Sequence, residues 1–256
     1  MSSFSVILKA KRTPIGSFLG NFASLSAPEL ASFVIQSILE DKRLSPGLIN
    51  EVILGNVLSA GQGQAPARQA ALYGGCGNSI EALTINKMCG SGLKAIMLAD
   101  LAIRSGDASV VLAGGMESMS NAPHLLVDSR NGTRLGYSQL VDSLIQDGLW
   151  DVYTKQHMGS CAELLVTERN YSREEQDKFA LKSQEKAIKA QKENKFKDEI
   201  VNFKIKSKKA EIDFIKDEHP REGINIEALK RLKPVFKKEG TVTAGNASGI
   251  NDGAAA

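Results

Sequence analysis

The chain has 256 residues, 42% of them hydrophobic and 24% charged, and a formal net charge of +3. This length and composition indicate a globular protein with a buried core, and so small a charge gives no sign of the basic stripe that nucleic-acid-binding proteins carry. No apolar run approaches the roughly 20 residues of a membrane span, so we expect neither nucleic acid nor a membrane as a partner.

The first 115 residues alternate between strand and helix signals. Short apolar runs predict strands, and the stretches between them have helical periodicity or helix-end signals. In chain order the predictions are a strand at 5–10, a helix at 27–40, a strand at 51–54, a helix at 65–73, a strand at 82–85, a helix at 91–104 and a strand at 109–113. Such alternation predicts βαβ units, a mostly parallel sheet and the α/β fold class.

The pattern changes after residue 115. Loop signals dominate as far as residue 150, and a polar helix is predicted at 172–194, where Ser172 and Glu175 form a capping box. A short helix is predicted at 226–232. The lysine-rich stretch 204–209 is either an anion-binding patch or, as we favour, a charged edge strand. We interpret this region as a long insertion packed on the α/β body.

The last residues, 241–256, return to small side chains and end on Ala256. No helix cap, polar tail or terminating turn marks this end. We therefore expect the chain to be truncated relative to a longer protein.

The chain has three cysteines, Cys76, Cys89 and Cys161. So small and odd a number does not indicate a disulfide framework, and it favours a reducing compartment. Because the N-terminus also lacks the pattern of a secretory signal, we expect a cytoplasmic protein. No cysteine or histidine pair has metal-ligand spacing, so no metal site is predicted.

Cys89 is the strongest candidate for chemistry. It lies in the segment NKMCGSG, between a predicted strand and a predicted helix. Free backbone N–H groups at a helix N-terminus favour negative charge, and the glycines Gly90 and Gly92 permit a tight turn and close approach of a substrate. A free cysteine is more often buried and inert, but this context favours a nucleophile. Cys76 and Cys161 lack it.

A cysteine nucleophile needs a base that accepts its proton. The chain has three histidines, His124, His157 and His219, and their spacing places none of them beside Cys89. From the residues alone, the site is therefore a nucleophile without an identified base. A cysteine hydrolase is a possible reading only if a histidine lies close to Cys89.

The segment NKMCGSGLKAI resembles the sequence around the acyl-carrying cysteine of thiolases. Other segments resemble further motifs of that family and follow in the same order. They are RTPIG at 12–16, GNV at 55–57, GQAPARQ at 63–69, GGMESMS at 114–120, QHMG at 156–159 and KEGTVTAGNASG at 238–249. The motifs cover nearly the whole chain, and QHMG with Ala162 and Glu163 is most similar to short-chain, acetoacetyl-type members.

The resemblance implies a layered αβαβα fold of two similar halves, with a loop domain inserted in the first half. In this chain it implies an N-terminal α/β domain at 1–118, an inserted loop domain at 119–243 that binds coenzyme A and carries the tetramer loop, and a return to the first domain at 244–256. The second half of the fold would be missing. The full-length form is expected to be a homo-oligomer, either a dimer or a tetramer.

The resemblance also implies an activity. Cys89 would accept an acetyl group from acetyl-CoA, and the carbanion of a second acetyl-CoA would attack it to give acetoacetyl-CoA. The reverse reaction is thiolysis. Acetyl-CoA and acetoacetyl-CoA are therefore the expected partners, as substrates, and no cofactor is expected to be bound permanently.

Seven further positions are expected to contact coenzyme A or its acyl group, on the resemblance alone. They are Leu149, His157, Met158, Arg221, Phe236, Ala247 and Ser248. A bulky residue at Met158 would limit the length of the acyl chain. The sequence departs from related enzymes at Ala228, where a serine often helps hold coenzyme A, and at Cys161, where a threonine is common.

The family's remaining catalytic groups are not found in this chain. Thiolases supply an Asn-Glu-Ala-Phe segment, a Gly-His-Pro histidine and a Cys-x-Gly cysteine from their second half, and none of these motifs occurs here. Loss of one such donor typically costs a hundredfold or more in rate, so we expect no appreciable turnover by the chain alone. Two rival interpretations remain: a decarboxylating ketoacyl synthase, whose motifs fit less well, and a non-catalytic fragment or partner of a separate C-terminal chain.

Overall fold

The computed structural model describes residues 4–132, 135–206 and 211–256. Short strands and helices of moderate length alternate in it. The strands in chain order are β1 (Gly16–Ser17), β2 (Glu51–Gly55), β3 (Glu81–Ile85), β4 (Val111–Ser118), β5 (His124–Leu125), β6 (Val141–Asp142), β7 (Trp150–Asp151), β8 (Gln156–His157), β9 (Phe203–Lys206), β10 (Glu211–Phe214) and β11 (Asn251–Ala255). The α-helices are α1 (Ala27–Leu39), α2 (Pro66–Tyr73), α3 (Ser91–Ser105), α4 (Met158–Arg169), α5 (Arg173–Lys192) and α6 (Ile226–Lys230).

A five-stranded sheet in the order β1-β11-β4-β2-β3 forms the body. Strands β2, β3 and β4 are parallel and are joined through α2 and α3, which makes two βαβ units. Strand β11 lies between β4 and β1 and is antiparallel to both. The sheet is therefore mixed. The expected parallel pairing is confirmed for β2, β3 and β4, whereas β11 and β1 add antiparallel pairs.

The helices cover the sheet on both faces. Helix α1 begins at a capping box of Ser26 and Glu29, and its buried side chains join a core that includes Val52 and Leu54 of β2. Because successive strand residues point to opposite faces, the buried Ile53 between them faces the other side, where α3 packs on β2 and β4. The outer side of α3 is apolar and exposed.

The region between β4 and β11 contains α4, α5, α6 and three two-stranded sheets, which pair β5 with β6, β7 with β8, and β9 with β10. Arg12 joins this region to the body: its guanidinium lies 2.7 Å from Asp217 and 2.7 Å from Glu199. Glu218 adds a further link, since its carboxylate accepts a hydrogen bond of 2.8 Å from the backbone N–H of Ser17.

The structure corrects several predictions from the sequence. Residues 5–10 form no strand, because their backbone finds no ladder partner in the described part of the chain. Strand β4 runs on through the glycines to Ser118, five residues beyond its predicted end at 113. Helix α4 and strand β11 were not predicted. The lysine-rich stretch is a strand as far as Lys206, and residues 207–209 lie outside the described residues.

Within the described residues, no helix is both long enough and apolar enough to cross a bilayer.

Candidate active site

Cys89 lies at the carboxyl edge of the parallel strands, between the end of β3 and the start of α3. Gly90 is the N-cap of α3, so the cysteine immediately precedes the cap. The Cys89 side chain is exposed. Ligands of α/β sheets bind outside the carboxyl ends of the strands, and a helix N-terminus presents free N–H groups there. The thiol is therefore accessible at an edge suited to a polar or anionic substrate group.

A short network of hydrogen bonds holds the turn that carries Cys89. The backbone N–H of Lys87 donates to Ser91 Oγ at 2.8 Å, and the Ser91 hydroxyl donates to the Met88 carbonyl at 2.6 Å. Met88 has a left-handed φ of 50°, and its N–H donates to Asn86 Oδ1 at 2.9 Å. A non-glycine residue in this region is strained, and such strain is concentrated at functional sites. Ser91 and Asn86 stabilise the strained turn.

Glycines let the first turn of α3 approach the sheet closely. A Cβ on Gly55, the last residue of β2, would lie 2.5 Å from the Cβ of Ser91 and 2.8 Å from the backbone nitrogen of Gly92. A Cβ on Gly115 would lie 3.3 Å from Gly92 Cα. Gly55, Gly92 and Gly115, one from each of three motifs, therefore allow the helix that follows Cys89 to pack closely on β2 and β4.

Glu117 organises the loop that follows β2. Its carboxylate accepts hydrogen bonds from the backbone N–H groups of Val57 at 2.9 Å and Leu58 at 3.0 Å, and from the Asn56 amide at 2.8 Å. Burial raises the pKa of Glu117 above its ordinary value, and these three donors oppose that rise. Leu58 in turn packs on Gly148, next to Leu149. Glu117 thus connects the sheet to one wall of the expected coenzyme A site.

Four of the residues expected to bind substrate lie in one cluster. The rings of His157 and Phe236 stack, with their centroids 4.8 Å apart and an angle of 21° between their planes. His157 pairs with Trp150 across β7 and β8, which brings Leu149 and Met158 to the same end of that hairpin. Met158 is exposed. The structure therefore brings Leu149, His157, Met158 and Phe236 together.

His157 has a fixed orientation in this cluster. It is the N-cap of α4, and its Nδ1 accepts a hydrogen bond of 3.0 Å from the backbone N–H of Gly159. Nδ1 accepts, so in the neutral ring the proton lies on Nε2, which is left as the donor. Phe236 covers Gly159 so closely that a Cβ there would collide with the ring.

The loop with Ala247 and Ser248 is tied to the same cluster. The N–H of Val235, beside Phe236, donates to the Val242 carbonyl at 3.0 Å, and Ala247 N–H donates to the Thr243 carbonyl at 3.0 Å. The loop with Ala247 and Ser248 therefore begins directly after the backbone pairing that holds the segment of Phe236.

Two buried carboxylates hold this loop in place by accepting hydrogen bonds from it. Glu163 of α4 accepts hydrogen bonds of 2.8 Å from the backbone N–H groups of Thr241 and Val242. Asp177 of α5 accepts one of 2.9 Å from the Asn246 amide. The sequence alone indicates no role for either carboxylate; the nearest signal is the GNASG motif, whose asparagine needs a hydrogen-bond partner.

Arg221 is placed differently from the other expected contacts. Its side chain is exposed, and its backbone N–H donates to Gln184 Oε1 of α5 at 2.9 Å. No described contact joins it to the cluster around His157. Ala228, the departure from related enzymes, lies in α6, where its N–H donates to Asn225 Oδ1.

The base that Cys89 needs is not found in the described residues. No hydrogen bond joins its thiol to a histidine there. His124 lies in β5 paired with Asp142, His157 caps α4, and His219 lies 3.4 Å from the Asn251 amide. The described part of the chain also contains no group of three or more histidine, cysteine or acidic residues that could hold a metal ion.

The other cysteines have different surroundings. Cys76 is buried, and burial raises the pKa of its thiol above the ordinary value. Cys161 is half-buried in the first turns of α4. Cys89 is the exposed cysteine of the three.

Known proteins resemble this chain along its whole length. The family described as "Thiolase, N-terminal domain" matches residues 5–256. An acetyl-CoA acetyltransferase of Pseudomonas aeruginosa is 52% identical over 252 residues, and one of Cupriavidus necator is 53% identical over 252 residues. A Staphylococcus aureus protein named "Probable acetyl-CoA acyltransferase" is 53% identical over 251 residues. Each alignment covers 98% of this chain and 64% of the relative.

The fold agrees with a solved structure as well. The crystal structure of the Bacillus anthracis acetyl-CoA acetyltransferase matches with a TM-score of 0.95 at 41% identity, and the match covers 100% of this chain and 65% of that one. This confirms the expected α/β, thiolase-like fold. The chain spans about two thirds of the length of its relatives, and it belongs to the thiolase family.

Proposed function

We propose that this chain carries the acyl-accepting half of a thiolase site, with Cys89 as the nucleophile. The observation that carries the proposal is the exposed thiol at the N-terminus of α3, held by a strained turn at the carboxyl edge of the sheet. The similarity to acetyl-CoA acetyltransferases supports acetyl-CoA as the acyl donor.

The first step would be transfer of the acetyl group to Cys89. The thiolate sulfur attacks the carbonyl carbon of acetyl-CoA, and the bond from that carbon to the sulfur of coenzyme A breaks. Coenzyme A leaves as a thiolate and takes up the proton that Cys89 lost. In the second step another acetyl-CoA loses a proton from its methyl group to a base, and the resulting carbanion attacks the carbonyl carbon of the acetyl-cysteine. The bond from that carbon to the Cys89 sulfur breaks, which gives acetoacetyl-CoA, and the Cys89 thiolate takes up the proton from the base.

The cluster around His157 would bind coenzyme A and the acyl group. Leu149 and Phe236 supply apolar surface for the pantetheine, and the Nε2–H of His157 is a donor directed away from the N-cap bond. Ala247 and Ser248 extend this surface on the loop held by Glu163 and Asp177. Arg221 is proposed for the phosphates because it is an exposed cation.

Met158 is proposed to limit the acyl chain to a short length. It is exposed beside His157, at the end of the β7–β8 hairpin. A long thioether at this place would occupy space that a longer acyl group needs, while an acetyl or acetoacetyl group would still fit.

The division into an α/β domain at 1–118, an inserted domain at 119–243 and a return at 244–256 is part of the proposal. So are the homo-oligomer, dimer or tetramer, of the full-length form, and the cytoplasmic location. Coenzyme A thioesters would act as substrates and not as resident cofactors.

Turnover by the chain alone is not part of the proposal. A second candidate function is a non-catalytic fragment or a partner of a separate C-terminal chain. The outer face of α3 favours it: Leu93, Met97 and Leu101 are 66%, 56% and 61% exposed, which is unusual for a helix that covers a sheet.

Intact mass after incubation with acetyl-CoA tests the proposal. We expect one acetyl group on the folded chain and on a Cys161→Ala control, and none on Cys89→Ala. Acetylation of Cys89→Ala to the same extent would contradict the role of Cys89. A chain that is folded by circular dichroism but remains unlabelled would support the second candidate, because activation of Cys89 would then depend on residues from another polypeptide.

A further inference from the structure

The segment around Phe236 is a loop whose two ends pair with each other. The backbone N–H of Val235 donates to the Val242 carbonyl at 3.0 Å, and an antiparallel bridge lies one residue further out. We call residues 234–243 the Phe236 loop. The pairing joins the two ends of this loop, but it does not orient the loop on the rest of the protein. Contacts with helix α4 do so.

Helix α4 contacts the Phe236 loop at two places. At the N-terminus of the helix, the His157 ring stacks on the Phe236 ring with 4.8 Å between the centroids, and Gly159 leaves room for the phenyl ring. Further along the helix, the buried carboxylate of Glu163 accepts hydrogen bonds from the other end of the loop. Because both contacts come from one rigid element, together they determine where the loop lies relative to His157.

One oxygen atom makes most of the second contact. Glu163 Oε1 accepts hydrogen bonds of 2.8 Å from the backbone N–H groups of both Thr241 and Val242, and the Thr241 hydroxyl lies 3.3 Å from Oε2. Glu163 is 5% exposed, and no cation pairs with it in the described part of the chain. Its role is therefore that of a hydrogen-bond acceptor, which a neutral carbonyl oxygen at the same place could also fill.

Gly240 leaves the space that this oxygen occupies. A Cβ on Gly240 would collide with Glu163 Oε1 and would lie 2.8 Å from the Glu163 Cδ atom. The φ angle of Gly240 is not left-handed, so an alanine there is disfavoured by this contact and not by backbone strain. The contact between carboxylate and loop can therefore be disturbed from the side of the loop as well as from the helix.

We propose that Glu163 is a positioning residue for coenzyme A, because its carboxylate holds the Phe236 loop on α4 and so keeps the Phe236 ring on His157. The inference rests on the proposed function, which assigns Phe236 and His157 to the pantetheine site. Without the acceptor, the N–H groups of Thr241 and Val242 gain hydrogen bonds only by turning towards water, and the loop moves away from the helix. Glu163 itself does not contact the substrate in this proposal.

Three variants separate the acceptor from the charge, with coenzyme A as the probe and its Kd measured by titration calorimetry. Glu163→Met retains the length of the side chain but leaves two backbone N–H groups without an acceptor, which should weaken the Kd about tenfold or more. Glu163→Gln retains a carbonyl oxygen for both N–H groups and an amide that can donate to the Thr241 hydroxyl, so its Kd should stay within about threefold. Gly240→Ala displaces the carboxylate and should act as Glu163→Met does; it decides the question if Glu163→Met does not fold.

Two controls distinguish this effect from a general loss of stability. Glu168→Met makes the same change at an exposed position of the same helix. Ile35→Val removes a methyl group from the fully buried core that α1 shares with β2, and it lowers stability away from the Phe236 loop. Both variants should bind coenzyme A with an unchanged Kd.

A spectroscopic measurement reports the position of the Phe236 ring in the absence of coenzyme A. Protons that lie over an aromatic ring are shielded, so the Cε1–H group of the stacked His157 should give an upfield NMR signal, assigned by its loss in His157→Asn. The signal should move to an ordinary position in Glu163→Met and Gly240→Ala, and it should stay in place in Glu163→Gln.

The outcomes separate this inference from the proposed function. If the unaltered chain binds coenzyme A and Glu163→Met binds it equally well, the inference fails and the proposed function stands. An equal loss in Glu163→Met and Glu163→Gln would also overturn the inference, because the charge and not the acceptor would then matter. Absence of binding by the unaltered chain would contradict the proposed coenzyme A site, and the histidine signal would then decide: an unmoved signal in Glu163→Met would overturn the role of Glu163.

Discussion

The ion pair of Arg173 and Asp177 leads to a sharp prediction about stability. The Asp177 side chain is fully buried, and its carboxylate accepts hydrogen bonds of 2.8 Å from Arg173 Nε and 2.9 Å from the Asn246 amide. Asn246 also donates to the Thr241 carbonyl at 3.0 Å. The change Asp177→Ala therefore leaves a half-buried cation and a half-buried amide group each without one partner.

The expected loss of unfolding free energy is about 3 kcal/mol. Removal of one partner from a buried ion pair costs roughly 3–5 kcal/mol. The lower end applies here, because the Arg173 side chain is 24% exposed and still donates to the Leu229 carbonyl at 2.6 Å. Glu174→Ala is the matched control on the same helix. Its pair with Lys178 is also four residues apart, at 2.7 Å, but it is exposed, so its loss should leave the free energy of unfolding nearly unchanged.

Urea unfolding followed by circular dichroism measures both values. With a slope of about 3 kcal/mol/M, Asp177→Ala should lower the midpoint by about 1 M. Asp177→Asn, which retains acceptor capacity for one donor, should fall between Asp177→Ala and the unaltered chain. If Asp177→Ala shifts the midpoint no further than Glu174→Ala does, the buried pair does not stabilise the fold as argued.

Three other predictions concern the turn at Cys89 and its surroundings. Iodoacetamide at neutral pH should label Cys89 first, and labelling of the buried Cys76 should rise only as pH increases, because burial raises the pKa of Cys76. Equal labelling rates of the two cysteines in the folded chain at pH 7 would contradict this. Ser91→Ala should lower the free energy of unfolding by about 1–3 kcal/mol, since it leaves the Lys87 N–H without its acceptor, and an unchanged urea midpoint would argue against that role. Gly55→Ala should lower the free energy of unfolding by about 1–3 kcal/mol, because its Cβ would lie 2.5 Å from that of Ser91. Gly47→Ala, whose Cβ would have no atom within 4 Å, should change that free energy by less than about 0.5 kcal/mol. Similar values for the two variants would refute the packing argument.

Elements with strong local signals were predictable from the sequence. Helix α5 begins at the capping box of Ser172 and Glu175, as predicted. Helix α3 begins at Ser91, directly after the Cys89 turn, as predicted, and ends at Ser105, one residue beyond its predicted end. These signals are local: a cap satisfies N–H groups three residues away, and an apolar stripe needs only one helix to be recognised.

Elements that depend on distant neighbours were missed. Strand β11 consists of Asn, Asp, Gly and Ala, which are poor strand formers, and it pairs because Gly114 leaves room for the backbone of Ala255. Helix α4 has no apolar stripe, since Leu164 and Leu165 are exposed while Glu163 is buried. The prediction for residues 5–10 was wrong in the opposite way. Their composition favours a strand, but a strand forms only where a neighbouring strand pairs with it, and none does so in the described part of the chain.

The candidate site was predictable in its parts and not in its arrangement. Cys89 could be selected from its glycines and its place before a helix, and the fold places it there. The stacking of His157 on Phe236 joins residues far apart in sequence, and no local pattern indicates it. Glu163 and Asp177 look like ordinary helix-surface charges until the loop they bind is in place.

The closure of the sheet by β11 has a consequence for the time course of folding. Thr13 bonds with Ala254, and Arg12 with Asp217, at sequence separations of 241 and 205 residues. Contacts of such long range slow folding, because a large loop must close before they form. During synthesis, the edge of β4 emerges more than 130 residues before the strand that covers it, as shown by the pairing of Asp252 with Ser118. A nascent chain of this kind exposes an unpaired β-edge for seconds at ordinary translation rates, and such edges are prone to aggregation while they are uncovered.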